Sequence, residues 1–250
     1  RVPGPRVYIH EFIDILGHNR ARYMYHMTAN WGPIGRAERN QLCFGVWGVV
    51  GSTGRWPQVV NLWEYEDWAA LGHNFEVELT GSGLQDPSLA DWWAEAAEFR
   101  SGGFDRILVA PDWSPSIGEL TSRVGDRPPA GYAHEVVRCR PGTAGELLDA
   151  VRDGGIDAHS AAGWSLVGAF RRAMAADDEC ILIWSFPSWA SWAQFEAEND
   201  AGGGGGPAAW WRGMRSTVTG RERILLADAP LSPLRTGRQP DVTDRGPVAV

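Results

Sequence analysis

The sequence predicts an α+β protein built from two tandem copies of one unit, and three observations predict it. Blocks of residues recur in one order. Tyr8-Ile9-His10-Glu11 returns as Tyr132-Ala133-His134-Glu135, and residues 60–68 (Val-Asn-Leu-Trp-Glu-Tyr-Glu-Asp-Trp) return as 181–189 (Ile-Leu-Ile-Trp-Ser-Phe-Pro-Ser-Trp). Between and behind them, residues 44–48 answer to 166–170, Asp91-Trp92-Trp93 to Ala209-Trp210-Trp211, and 105–110 to 222–227. Ordered matches of this kind mean duplication. The second observation is periodicity: each copy runs strand, helix, strand, strand, helix, strand, read from the switch between period two and period 3.6. The third is composition, since 44% of the 250 residues are hydrophobic, enough for two halves to share a core.

Taken in order, residues 7–15 alternate and are β-rich, and 19–31 read as a helix that Gly32-Pro33 should stop. Residues 42–50 and 58–65 read as strands joined by the hairpin turn Gly51-Ser52-Thr53-Gly54. Asp67 stands at an N-cap position before Trp68, Leu71 and Phe75, which recur at helical spacing, and Ser188 holds the same place before Trp189 and Trp192. A strand over 104–110 closes the first copy. In the second, a helix is expected over 143–159. The expected division is a first, site-bearing unit over 7–118, a linker over 119–131 that is rich in Pro and Gly, a second, scaffold unit over 132–230, and an extended arm over 231–250. The glycine run 202–206 reads as a loose loop, because it has no side chains to order it.

A β-α-β-β-α-β unit is the ferredoxin-like pattern, a four-stranded antiparallel sheet with both helices on one face. The other face needs cover, and the second copy supplies it, so the antiparallel sheets should pack together as an α/β barrel. The Tyr-x-His-Glu strand, the Val-Val-Asn-Leu-Trp-Glu-Tyr-Glu-Asp-Trp segment and the helix after it resemble the NIPSNAP-type branch of the dimeric α/β-barrel superfamily, with two units in tandem. The resemblance runs from Val7 to about Ala229. It implies the fold. Its members include cofactor-free monooxygenases, isomerases, lyases, haem enzymes and proteins without known activity, so it does not choose a reaction.

Composition excludes several classes. A net charge of −8 offers no basic stripe for nucleic acid or an anionic membrane. All 23 basic residues are Arg, which removes Schiff-base and Lys-base chemistry. Cys43, Cys139 and Cys180 lack zinc or disulfide spacing and read as small buried hydrophobes. No apolar run suits a membrane span and the start does not read as a signal peptide, so a cytoplasmic protein is expected. Dinucleotide, P-loop and nucleophile-elbow motifs do not occur.

Alternation in the first strand puts Tyr8, His10 and Phe12 on one face and Ile9, Glu11 and Ile13 on the other. The Ile face suits helix packing, which sends Tyr8 and His10 towards the barrel. Tyr23, His26, Met27 and Asn30 form one stripe of the first helix, whose counterpart carries no such groups. With no Lys available, a neutral imidazole is the expected general base. The expected catalytic residues are His10, His26, Asn30 and Tyr23. The expected substrate contacts are Tyr8, Glu11, Met27, Trp47, Asn61 and Trp63, the two tryptophans lining a flat apolar cavity if both point inward. No metal site is expected, and no cofactor, with haem as the alternative. The expected function is cofactor-independent proton transfer on a small apolar or aromatic molecule, by an isomerase-, lyase- or cyclase-like enzyme or a cofactor-free monooxygenase. The alternatives are a haem-dependent lyase or peroxidase-like protein and a non-enzymatic ligand-binding or assembly protein. The expected partners are that ligand and further copies of the chain in a homo-oligomer.

Overall fold

The computed structural model describes residues 4–125, 127–202 and 205–246. The glycine run lies partly outside them, as do the ends of the chain. Four strands belong to each copy: β1 (Val7–Ile15), β2 (Leu42–Val49), β3 (Gln58–Tyr65) and β4 (Arg100–Val109), then β5 (Gly131–Cys139), β6 (Ser165–Arg172), β7 (Glu179–Phe186) and β8 (Val218–Asp228). They pair antiparallel as β4-β1-β3-β2 and β8-β5-β7-β6. Short seams join the two sheets into one closed barrel, Trp47–Val49 of β2 against 226–228 of β8 and Leu108-Val109 of β4 against Arg172-Arg171 of β6.

The first helix is longer than the Gly-Pro pair suggests. Arg20–Tyr25 (α1) runs through a wide π turn, His26–Trp31, into Gly32–Glu38 (α2). Gly32 N–H bonds the Met27 carbonyl, so the ordinary ladder is interrupted just before Pro33, which has no N–H to give. The proline therefore sits in the first turn of α2, where it costs little, and does not stop the helix. The second copy has the same construction, α6 (Ala144–Ala150), a π turn at Val151–Gly155 and α7 (Ile156–Ala161). The remaining helices are α3 (Trp68–Glu78), α4 (Ala90–Ala97), α5 (Ile117–Thr121), α8 (Trp189–Asp200), α9 (Gly206–Gly213) and α10 (Pro233–Thr236). Both expected caps form: Asp67 accepts from Ala70 N–H at 2.9 Å and Ser188 from Ser191 N–H at 3.0 Å.

Three apolar layers result. Tyr8, Trp47, Tyr132 and Phe170 fill the barrel. Tyr23, Met27, Trp31 and Trp63 pack between the first sheet and its helices, and Trp164, Trp184 and Phe195 do so in the second copy. The barrel registers correct two of the sequence matches by one residue. Tyr8 faces Leu108 and Tyr132 faces Leu226, so Arg106 corresponds to Ile224 and Asp105 to Arg223. Gly45 and Gly168 correspond as well, each after a bulge. At both, a Cβ would lie 2.1 Å from Trp47 or 2.4 Å from Phe170, because the aromatic two residues on folds over the glycine. A one-residue slip exchanges faces, which is why the correction matters.

After β8 the chain returns to the first copy. Leu234 of α10 and Ile117 of α5 plug one end of the barrel. Gln239 bonds both the N–H and the carbonyl of Cys43, at 2.9 and 2.8 Å, as a neighbouring strand would.

Candidate active site at the barrel mouth

The strand pattern carries two equivalent histidines into the middle of the barrel, where they meet. His10 Nε2 lies 2.8 Å from His134 Nε2, and the rings are nearly parallel, 20° apart. Both side chains are buried and neither Nδ1 has a partner. Only one Nε2 can carry the shared proton. The donor ring then has a bare Nδ1, and the acceptor ring, if neutral, carries its proton on Nδ1. The pair is thus a two-ring relay with a lone pair at one end and a proton at the other. Burial lowers both pKa values, and the charge of Arg106 lowers them further; His134 falls to about 3, while His10 is also opposed by His134. Both imidazoles are neutral at pH 7.

His134 borders a cavity of about 570 Å³ at the open end of the barrel, with Phe12, Phe104, Arg106, Val136 and Ile224 among its walls. Phe12 stands edge-on to both histidines, 4.9 and 5.4 Å away. Arg106 lies opposite His10 in the β1–β4 ladder, donates from Nε to Glu179 at 2.6 Å, and keeps a buried Nη1 without a partner. Both units contribute to this cavity.

The expected residues divide between the two faces of the first sheet. Tyr8 and His10 point into the barrel as the alternation requires. Tyr8 and Trp47 pack deeper than the mouth, Tyr8 donating to Glu64 at 2.8 Å and Trp47 lying 5.7 Å from Tyr132. Trp63 points the other way, so the two tryptophans share no cavity; the inward aromatic walls are Phe12 and Phe104. Under the helices, Trp63 and Asn61 donate to Glu11 at 2.7 and 2.9 Å, and Asn61 also donates to Tyr23 at 2.8 Å, with Met27 beside them. His26 stacks on Trp92 at 4.6 Å and accepts from Asn30 at 3.1 Å, with Glu95 3.6 Å away. Burial lowers its pKa, against the pull of Glu95. His26 and Asn30 therefore do not meet His10. His134, Arg106, Phe12, Phe104 and Glu179 were not among the expected site residues. The repeated Tyr-x-His was the available signal for His134.

Larger space exists elsewhere, a cleft of about 930 Å³ near Arg6, Glu64 and Glu66. There the buried carboxylate is satisfied, Glu64 accepting from Tyr8 and from Ile117 N–H at 3.0 Å. None of the buried unpartnered side-chain atoms among the described residues belongs to a residue lining that cleft. Among the described residues no group of three or more His, Cys, Asp and Glu is placed to hold a metal. A haem iron would need a histidine nitrogen that faces open space: His26 is stacked on Trp92 and His159 lies 3.8 Å from the Trp184 ring, face to face, while His134 borders the mouth cavity with Nδ1 unpartnered.

Solved structures share this architecture. A candidate monooxygenase of Fusobacterium nucleatum superposes with a TM-score of 0.57 at 10% identity, covering 90% of this chain and 93% of its own. An anthrone oxidase-like protein gives 0.57 at 11%, covering 90% and 94%. A candidate chlorite dismutase gives 0.52 at 10%, covering 93% and 98%. The fold is the dimeric α/β barrel. At such identities the likeness establishes that fold alone. No protein-family model and no curated protein matches the chain. In this dimeric α/β barrel both halves come from one chain, so closing the barrel needs no second copy. No described helix is long and apolar enough to cross a membrane.

Proposed function

We propose that the protein is a cofactor-independent enzyme that moves a proton on a small apolar or aromatic molecule bound in the barrel mouth. The observation that carries this reading is the His10–His134 pair, hydrogen bonded through Nε2 and unsatisfied at both outer nitrogens, with His134 on a cavity wall. A substrate C–H proton passes to the bare Nδ1 of His134, whose Nε2 proton moves across to His10. Return of the proton to a different carbon completes an isomerisation; loss of a leaving group from the carbanion makes it a lyase. The carbanion can instead meet dioxygen, the carbon being oxidised to a carbonyl and the second oxygen atom leaving as water, which is the chemistry of a cofactor-free monooxygenase. The fold neighbours described as a monooxygenase candidate and an anthrone oxidase-like protein support an enzyme at the level of fold. The Tyr-x-His-Glu strand supports the NIPSNAP-type branch.

The test is solvent exchange. The protein in D2O is given a panel of enolisable aryl ketones and phenols, and deuterium at carbon is followed by NMR, with an oxygen electrode in parallel. The wild type should exchange at least one class, and His134→Asn should lose that exchange by about a hundredfold or more. Equal exchange by wild type and His134→Asn would remove the pair from the chemistry, and no exchange or oxygen uptake anywhere in the panel would favour a ligand-binding protein.

A further inference from the structure

Building on the proposed function, we infer that the barrel mouth selects an aromatic monoanion, an aryl carboxylate or phenolate, whose oxygen is held by the Arg106 guanidinium. Among the described residues, the ion pairs around this cavity leave one cation over. Arg55 pairs with Asp14 at 2.9 Å, Arg138 with Glu222 at 3.6 Å, and Arg221 and Arg223 are matched by the two carboxylates Glu135 and Glu196. Arg106 and Arg172 share Glu179 alone, at 2.6 and 3.5 Å. Two guanidinium groups on one carboxylate leave a single positive charge, and the Arg106 side chain is only 9% exposed, so water offsets little of it.

The guanidinium is also held in place. The Arg106 guanidinium lies 5.5 Å from the Phe12 ring and 4.6 Å from the Phe104 ring, cation over aromatic face. Nε is bound to Glu179 while Nη1 is buried with no acceptor. An unmatched buried N–H on a charged group is costly, and an oxyanion in the cavity removes that cost by accepting from it. Val136 and Ile224 add apolar wall that suits a ring, beside the polar Gln58 and the ion-paired Arg55, Arg138, Arg223 and Glu222. A monoanion matches the single excess charge; an amine does not. Binding also carries a chemical consequence: burial is the main cause that depresses the histidines, and an anion beside Arg106 offsets the further lowering by that guanidinium, which makes the pair a better base once substrate is present.

The experiment is calorimetric titration of the full chain with 2-naphthoate and with its neutral counterpart 2-naphthamide. Wild type should prefer naphthoate by about tenfold or more, the scale of one hydrogen bond to a charged group. Arg106→Gln should abolish the preference. Phe104→Ala, a change at a half-exposed ring that the fold tolerates, should weaken both compounds by a similar factor and keep the preference. Equal or tighter binding of naphthamide by wild type, an undiminished preference in Arg106→Gln, full affinity in Phe104→Ala, or binding of neither compound would overturn the inference. His134→Asn separates this from the proposed reaction: it should lose proton exchange yet keep the naphthoate preference. A wild type that prefers naphthoate but exchanges nothing would sink the reaction and leave the anion site standing.

Discussion

Glu11 and Glu135 hold the same place in the two units, and each accepts an indole N–H across the sheet, from Trp63 at 2.7 Å and from Trp184 at 3.0 Å. Their other neighbours are opposite in sign. Glu135 meets Arg223 at 2.9 Å and Arg221 at 3.4 Å, whereas Asp105 stands where Arg223 would be and Asn61 completes the shell of Glu11. Burial raises both carboxyl pKa values. Asp105 raises that of Glu11 further, against its hydrogen bonds, while Arg223, Arg221 and His159 bring Glu135 below the ordinary range. The fold thus requires the Glu–Trp bond and not the charge. A residue repeated by duplication keeps its geometric role while its protonation follows the neighbours, so a motif such as His-Glu assigns no chemistry until those neighbours are known.

The largest expected effect lies in this ion pair. Arg223→Met leaves a fully buried carboxylate short of its main partner and should cost about 3–5 kcal/mol in urea unfolding. Asp105→Asn, at the equivalent position, removes a repulsion and should change stability by less than about 1 kcal/mol. Similar losses from both would mean that the two chambers are electrostatically alike.

Much of this difference was legible in principle. Alternation in 7–15 gave the inward His10 and the outward Glu11, and the matched caps Asp67 and Ser188 aligned the second halves of the units. The β4–β8 correspondence was not, because Ile-Leu-Val-Ala and Ile-Leu-Leu-Ala look alike at either register, and only strand pairing shows that Asp105 answers to Arg223. Pro33 misled because a π turn, which leaves little trace in sequence, absorbs its missing donor. His134 was readable: inward residues at equivalent positions of two face-packed sheets approach each other. The Arg106–Glu179 pair was not, since the two are 73 residues apart in different units and nothing local links them.

The same comparison has a pH signature. The folded pKa of Glu135 is below its unfolded value, so its stabilisation is complete above the ordinary glutamate range and is lost as pH falls through the folded value. For Glu11 the sign reverses: stability is full below the ordinary range and declines as pH rises through the raised folded value. Glu135→Gln should therefore be less stable than wild type at pH 7 and lose less on acidification. Glu11→Gln should match or exceed wild type at pH 8, by about 1 kcal/mol at most. Melting curves from pH 3 to 8 check both, and parallel curves for the two variants would refute the assignment.

A comparably small effect belongs to a second pair of equivalent residues, at the plugged end of the barrel. Tyr8 donates to Glu64, while Tyr132, whose facing residue on β7 is Ser185, donates instead to Asp228 of β8 at 2.7 Å. Burial pushes the Asp228 pKa up to about 6, against its bond to Tyr132 and the nearby Ser232 and Arg235. A raised carboxyl pKa means stability that is full below the ordinary aspartate range and declines as pH climbs to about 6, staying level above. Asp228→Asn keeps an acceptor for Tyr132 and cannot ionise, so it should lack that decline and be more stable than wild type at pH 7 by about 1 kcal/mol, allowing for the partial exposure of the group. At pH 4 the two proteins should melt within about a degree of each other. If the variant instead melts lower at both pH values, the ionised aspartate anchors the C-terminal turn through Arg235 and the difference between the two tyrosine–acid pairs is one of charge pairing, not of proton occupancy.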